Sequence, residues 1–300
     1  MEETPDRQGI VRIARNCSIE ITTRDPSEID ACRECLEPGT DVYISMPPGQ
    51  TYSGELAVAA SIRRAGFNPV PHVAARTFAT LSMLDDYLAR AVSEAGVTKV
   101  LVIGGDRDRP AGPFHSSLQL LEAGLFQKHG IRHIGIAGYP EGHPRIAEVD
   151  LDRALADKCE LARRERLDLH IVTQFCFDAA PIRDWCERIR ARGIMLPVRV
   201  GLAGPASITT LLRFAMRCGI GNSVRAIKNR GESLVRLIND TGPDAVLRDL
   251  AGIAADRVPP VEIHMFSFGG FARTARWIRS VSEGRFEFAP DKPGFSVGRS

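Results

Sequence analysis

Four short stretches combine groups that move protons with groups that hold a planar ring. In Ser18-Ile19-Glu20-Ile21-Thr22-Thr23 a carboxylate alternates with isoleucines, so an extended chain puts Glu20 on one face and Ile19 and Ile21 on the other. If the Glu20 face is an apolar interior, burial raises the carboxyl pKa and suits it to donate a proton near neutrality. The same alternation equally describes an outward glutamate paired with a helix. In Gly104-Gly105-Asp106 two glycines let a flat ligand approach the backbone beside a carboxylate, although an ordinary Gly-Gly-Asp turn reads the same way. The stretch is neither G-x-G-x-x-G nor a phosphate loop ending in G-K-[ST]. Tyr139-Pro140-Glu141-Gly142-His143-Pro144 places a phenol, a carboxylate and an imidazole directly after the apolar run Ile134 to Ala137. Its prolines lower the entropy lost on ordering the turn. In Thr173-Gln174-Phe175-Cys176-Phe177-Asp178 the glutamine offers a donor and an acceptor to the amide edge of a pterin-like ring. Phe175 and Phe177 could stack on such a ring or equally be core, and for Phe177 core is preferred.

The elements that must position these groups alternate along the whole chain. Apolar, β-rich runs cover Cys17 to Ile21, Asp41 to Ser45, Asn68 to His72, Lys99 to Ile103, His133 to Ala137, Leu169 to Thr173, Leu196 to Val200 and Glu262 to Phe266. Amphipathic segments follow them: Pro26 to Leu36, Ser53 to Ala65, Leu81 to Ala95, Phe114 to Lys128, Leu151 to Glu165, Ala180 to Arg192, Ser207 to Arg217 and Gly270 to Val281. Asp178 before Ala179-Ala180-Pro181 and Ser53 before Gly54-Glu55 read as helix starts. Eight strand–helix pairs in one chain predict an α/β fold, a (β/α)8 TIM barrel, whose active site forms at the C-terminal ends of the strands. All four stretches fall there. The segment from Gly219 to Arg257 is too long for one connection and reads as extra helices, Val224 to Lys228, Gly231 to Asn239 and Asp244 to Ala255, between strands seven and eight. We expect a single barrel domain over 1–300, with a core of 15–285 and a loose Gly- and Pro-rich tail over 286–300.

Composition removes several function classes. With 39 Lys+Arg against 37 Asp+Glu the formal charge is +2, and the basic residues form no stripe, so a nucleic-acid partner has no electrostatic footprint. No apolar run approaches the roughly 18 to 20 residues that cross a bilayer, and MEETPDRQ is unlike a secretory signal; we expect no membrane partner and a cytoplasmic protein. Seven cysteines, odd in number and scattered, argue against a disulfide framework. Cys32-Arg-Glu-Cys35 has no second ligand pair nearby, so no metal site is expected.

Taken in order and spacing, Ser18-Ile19-Glu20, Gly105-Asp106, Tyr139-Pro-Glu-Gly-His-Pro144, Thr173-Gln-Phe-Cys-Phe-Asp178 and the region His264-Met-Phe-Ser-Phe268 resemble the methylenetetrahydrofolate reductases over almost the whole chain. The resemblance implies a flavin-dependent barrel, with FAD across its mouth, that interconverts 5,10-methylene- and 5-methyl-tetrahydrofolate. It implies Glu20 as the general acid that opens the folate's five-membered ring to an iminium. Asp106 would lie near flavin and pterin, and Gln174 would hydrogen-bond the folate. His72, Gly105, Asp106, Tyr139 and His143 map onto flavin contacts, and Ser116 and Lys158 onto the ADP and phosphate region. NADH or NADPH would supply hydride.

Three positions depart from the pattern. Gly104 stands where an arginine usually precedes Gly-Asp, Ser45-Met-Pro-Pro-Gly-Gln-Thr-Tyr52 replaces a flavin loop, and Ser267-Phe-Gly-Gly270 replaces a Thr-Leu-Asn end. These changes lie around the cofactor, so folate chemistry is expected ahead of nicotinamide use. Reaction direction and a homo-oligomeric state are left open. Two other readings also stand. One is a flavin barrel acting on another amine, which the presence of both Glu20 and Gln174 disfavours; the other is a non-redox folate-binding or methyl-transfer subunit.

Overall fold

Each of eight parallel strands pairs with its neighbour in sequence, and the first pairs with the eighth, closing a barrel. The computed structural model describes residues 5–24, 26–47, 49–218, 242–254, 261–288 and 294–298. The chain enters through helix α1 (Pro5–Arg15) and continues β1 (Ser18–Thr22), α2 (Glu28–Ala31), β2 (Asp41–Ser45), α3 (Tyr52–Arg64), β3 (Asn68–Ala74) and α4 (Leu81–Ala95). It then forms β4 (Lys99–Ile103), α5 (Ser117–Glu122), α6 (Leu125–Lys128), β5 (His133–Gly138), α7 (Glu148–Glu165), β6 (Asp168–Cys176) and α8 (Ala179–Ala191). Next come β7 (Val198–Ala203), α9 (Ile208–Cys218), α10 (Asp244–Ala254), β8 (Val261–Phe266) and α11 (Phe271–Ser282). Of the helices expected between strands seven and eight, the one expected over Asp244 to Ala255 is present over Asp244–Ala254 as α10; Val224 to Lys228 and Gly231 to Asn239 lie outside the described residues. In the stretch expected as a tail, β9 (Phe286–Phe288) and β10 (Phe295–Val297) form an antiparallel pair whose Phe286 and Phe295 are buried.

The period-2 alternation of each strand sorts its side chains between two apolar regions. Outward residues such as Ile19, Ile21, Val42, Ile44, Val100 and Ile136 are fully buried against the helices. Inward, Tyr43, Val70, Leu101 and Val172 fill the barrel's middle. Below them the inward charges at the strand starts are paired: Arg199 Nη1 reaches Asp41 at 2.8 Å, Arg199 Nε reaches Glu262 at 3.0 Å, and Lys99 Nζ reaches Asp41 at 2.9 Å. Arg199 also donates to the Tyr43 hydroxyl at 3.0 Å, which lies 2.8 Å from His170 Nε2. Burial and the Arg199 charge push His170 down to about 3, so this imidazole is neutral and accepts the phenol proton. The N-terminal end of the barrel thus holds paired charges that line a cavity of about 600 Å³, and in a barrel of this kind chemistry is expected at the C-terminal end.

Local differences from expectation have local causes. The helix expected over Phe114 to Lys128 is two short ones, because Gly124 adopts φ +69 and ends the first. The helix expected from Ser53 starts at Tyr52, capped by Thr51, whose hydroxyl accepts the Gly54 N–H at 3.1 Å. Pro26 to Leu36 is mostly turns around the four residues of α2.

Strand β6 carries an irregularity against β7 between Val172 and Phe175. There the Thr173 hydroxyl replaces a ladder carbonyl by accepting the Gly201 N–H at 2.9 Å. Gly201 is required because a Cβ would come within 2.5 Å of Thr173 O and 2.8 Å of Gln174 O, both backbone atoms. Gly201→Ala is therefore expected to destabilise the fold by about 1–3 kcal/mol, the range for overpacking, read as a lowered urea midpoint. An unchanged midpoint would show that the irregularity relaxes freely.

Candidate active site at the barrel mouth

Closure of the sheet decides the orientation of Glu20. With β1 between β2 and β8, Ile19 and Ile21 face the helices and Glu20 faces the barrel interior, its side chain 13% exposed. Its Oε2 lies 3.5 Å from His72 Nε2 on β3 and 3.6 Å from His264 Nε2 on β8. Ser267, just past β8, donates its hydroxyl to the Glu20 carbonyl. Burial pushes the carboxyl up as expected, but the hydrogen-bonding and charge of His264 and His72 outweigh it, and the net shift is downward. The expected raised pKa is therefore corrected: the two imidazoles, which the alternation of β1 could not reveal, dominate the environment. Burial pushes both imidazoles down.

A second group forms from the loops after β4 and β5. Gly105 takes φ +90, open to glycine alone without strain, and Asp106 follows it at the exposed rim. The charge of Asp106 acts on both Tyr139 and His143. Burial and then Asp106 push the Tyr139 hydroxyl up. Burial and Arg145 push His143 down, against the pull of Asp106. The Tyr139 and His143 rings meet edge to face at 5.2 Å. An Arg145–Asp108 ion pair at 2.5 Å ties the two loops together at the surface. Arg76, just past β3, braces the β4 loop by donating to Arg107 O at 3.0 Å and His115 O at 3.1 Å.

Gln174 is brought to the same mouth, and its amide meets the β5 loop: Nε2 donates to Gly142 O at 3.3 Å and Oε1 accepts from Glu141 N–H at 3.2 Å. The edge expected to read a ligand reads backbone in this conformation. Phe175 also differs from expectation. It is 2% exposed, enclosed by Phe177, Phe266 and Phe268 at 4.8–5.7 Å between ring centres, and cannot stack on a ligand. The irregularity in β6 turns it into the wall, and the partly exposed rings are Phe177, Phe266, Phe268 and Phe214, the last stacked on Phe268 at 4.1 Å.

Two assigned residues stand away from this centre. Ser116 is exposed at the N-cap of α5, where Gln119 Oε1 accepts the N–H groups of His115 and Ser116 at 2.6 and 3.2 Å. Lys158 is the eleventh residue of α7, about 15 Å along the axis from its first turn at 1.5 Å per residue. It is 9% exposed, and burial pushes its ammonium pKa down.

The residues missed from the sequence are Ser18 and His264. The Ser18 hydroxyl oxygen lies 3.0 Å from His264 Nδ1, and both side chains are buried. The signal was present in the alternation of β8, where Ile263 and Met265 face outward and place His264 inward. Together these groups offer a buried proton-transfer centre beneath a rim of carboxylate, phenol and imidazole, with an aromatic wall to exclude water.

The sequence model of the methylenetetrahydrofolate reductase family matches residues 42–227, more than half of the chain. Methylenetetrahydrofolate reductase 2 of Saccharomyces cerevisiae is 31% identical over 153 residues, a match covering 47% of this chain and 24% of the yeast protein. The chain thus spans about a quarter of that relative's length. Among solved structures, an uncharacterized protein from Clostridium thermocellum that binds two copies of 5-methyl-5,6,7,8-tetrahydrofolic acid has a TM-score of 0.55 at 11% identity, covering 93% of this chain and 97% of that one. At that identity the likeness speaks for the fold alone. No helix among the described residues is long and apolar enough to cross a membrane.

Proposed function

Because the chain belongs to the methylenetetrahydrofolate reductase family, we propose that it is a flavin-dependent oxidoreductase interconverting 5,10-methylene- and 5-methyl-tetrahydrofolate. The observation that carries this reading is the Glu20 carboxyl, buried at the floor of the mouth between two imidazoles and below the Asp106, Tyr139 and His143 rim. The substrate class is inferred from the family membership; the Clostridium thermocellum protein, alike in fold, is a 5-methyl-5,6,7,8-tetrahydrofolic acid binder.

Two observations support a flavin at this mouth. A Cβ at Gly104 would meet nothing within 4 Å, and His72 Nε2 is buried without a hydrogen-bond partner. His72, Gly105, Asp106, Tyr139 and His143 would hold FAD, with the exposed Ser116 toward its phosphates, whereas the buried Lys158 does not fit the phosphate role the resemblance gave it. Bound there, FAD would supply the two-electron acceptor and donor that the folate carbon requires.

The chain's own residues do the rest. Glu20 exchanges a proton with a folate ring nitrogen, opening or closing the five-membered ring. Asp106 places negative charge beside the cationic iminium and lowers its energy. The Phe266 and Phe268 wall excludes water that would hydrolyse it. Gln174 meets the folate once its amide leaves Gly142 and Glu141, and a cavity of about 260 Å³ behind that loop, lined by Tyr139, Pro140, Glu141, Leu151 and Trp185, gives the loop room to withdraw.

Anaerobic mixing tests the reading. The FAD-loaded protein is expected to lose its flavin absorbance on addition of 5-methyl-tetrahydrofolate, with NADH and NADPH tried in separate cuvettes. Bleaching by the folate and by neither nicotinamide supports work in the direction of folate oxidation. A colourless protein that ignores added FAD, or a bound flavin that the folate leaves oxidised, defeats the proposal.

A further inference from the structure

Cys32 and Cys35 lie outside the mouth, on the turn that ends α2, and the folate chemistry does not use them. Cys32 O accepts the Cys35 N–H at 2.9 Å and the Leu36 N–H at 3.1 Å, so the pair spans one tight, helix-like turn. A turn closed in this way holds its first and fourth Cα atoms within about 7 Å. A disulfide joins Cα atoms about 4.4–6.8 Å apart, so the backbone already stands within its reach. Side chains three apart on a helical turn share a face, with Cβ atoms about 5–6 Å apart. A disulfide needs about 3.5–4.5 Å there, so closing the bond draws the two Cβ atoms together by roughly 1–2 Å. Past Cys35 the chain runs as bends and turns to Thr40 before β2 begins, and a shift of that size breaks no strand ladder.

The surroundings give the two sulfurs different characters. Cys32 is 0% exposed within the apolar core, whereas Cys35 is half-buried and packs against that core from its edge. Two arginines of α11 face the pair. Arg279 hydrogen-bonds the Cys35 sulfur while its Nε reaches Glu283 at 3.0 Å, and the charge of Arg276 acts on Cys32. A partly exposed sulfur beside a guanidinium is placed to attack. Burial, and then the charges of Cys35 and Glu28, push the Cys32 thiol up to about 12 against the pull of Arg276, so Cys32 does not react first. The contribution of Cys35 to that rise ends once the Cys35 sulfur is bonded.

We propose that Cys32 and Cys35 form a reversible dithiol–disulfide pair, a modification site for low-molecular-weight organic disulfides, with Cys35 as the attacking sulfur and Cys32 as the resolving one. The Cys35 sulfur releases its proton to solvent and attacks one sulfur of the organic disulfide; a mixed disulfide forms and one organic thiolate leaves. Cys32 then releases its proton, and its sulfur displaces the second organic thiolate from Cys35. The organic S–S bond has broken and the Cys32–Cys35 bond has formed. Two electrons have passed from the cysteine pair to the organic disulfide, which ends as two thiols. A dithiol reductant reverses both steps. The site is independent of the folate reading and stands or falls without it.

Thiol mapping on the full-length protein tests the pair. The protein is equilibrated in glutathione buffers from reduced to mostly oxidised, its free thiols are blocked with N-ethylmaleimide, and it is unfolded and digested with trypsin without reductant. Trypsin cuts after Arg33, so the peptides that carry Cys32 and Cys35 separate unless a disulfide joins them. Joined peptides are expected to replace both blocked peptides together as the buffer becomes oxidising, and dithiothreitol is expected to restore the free thiols. In Cys32→Ser the resolving sulfur is gone, and Cys35 is expected to accumulate as a mixed disulfide with glutathione, a species scarce in the parent. In Cys35→Ser the buried Cys32 is expected to stay free. Peptides blocked separately in every buffer, or joined only after unfolding in urea, overturn the inference, and that measurement on the parent depends on neither variant. Glutathione carried by Cys32 and not by Cys35 in the two variants overturns it as well.

Discussion

Replacing Glu20 by glutamine is expected to lower turnover with 5-methyl-tetrahydrofolate by about 100-fold to 10,000-fold, the usual contribution of a positioned general acid or base. The amide keeps the shape of the side chain and an oxygen toward His72 and His264, so packing around the 13%-exposed position is preserved. It removes the capacity to take and release a proton at Oε2. Flavin content and the unfolding midpoint should therefore stay near the parent's while the folate half-reaction collapses. Reduction by a nicotinamide, if the protein accepts one, needs no proton at the folate nitrogen and should survive. Stopped-flow absorbance of the two half-reactions checks this directly. If both fall together, or if bound flavin is lost with the activity, Glu20 supports the mouth and is not its acid.

How much of this site can be read in the sequence depends on whether a residue's role is local. The eight strands and their order follow from runs such as Lys99 to Ile103, whose bounds are the same in the structure. The mouth loops could be placed because each follows its own strand. The inward face of Glu20 could not, since alternation offers two faces and only the closure of β1 onto β8 chooses between them. His264 lies 244 residues away, and although its stretch to Phe268 shares in the resemblance, its pairing with Ser18 is a product of register. The Gln174 amide is aimed by the irregularity in β6, which depends on the missing Cβ of Gly201 across the ladder. Helix α1 also went unread. Its sequence PDRQGIVRIAR looks polar at the start, yet Ile10, Ile13 and Ala14 are buried, and Gly9 brings the helix close enough that a Cβ would lie 3.6 Å from Ala251 O of α10.

The largest pH effect on stability is expected from Glu55, which sits outside the mouth. Its first-turn position on α3 looks like an ordinary exposed helix acid, but the packing of α3 on α4 leaves it 0% exposed. Tyr87 donates to its Oε2 at 2.9 Å, Oε1 has no hydrogen-bond partner, and the rings of Tyr52, Phe78 and Tyr87 cluster beside it at 4.9–5.7 Å between centres. Burial pushes the carboxyl from 4.5 up to about 8, with the Tyr87 hydrogen bond opposing the rise. The folded state therefore keeps this proton where the unfolded chain has released it. The stabilisation is fully present below about pH 4.5 and is lost as pH rises toward 8, at up to about 1.4 kcal/mol per unit. Between pH 5 and pH 7.5 the parent is expected to lose roughly 3 kcal/mol from this group alone. Glu55→Gln keeps an acceptor for Tyr87 and does not titrate. Urea unfolding across that range should show the variant near the parent at pH 5 and more stable than it by pH 7.5. Parallel pH profiles for the two proteins would mean that the carboxyl is ionised in the fold and that water or a cation reaches Oε1.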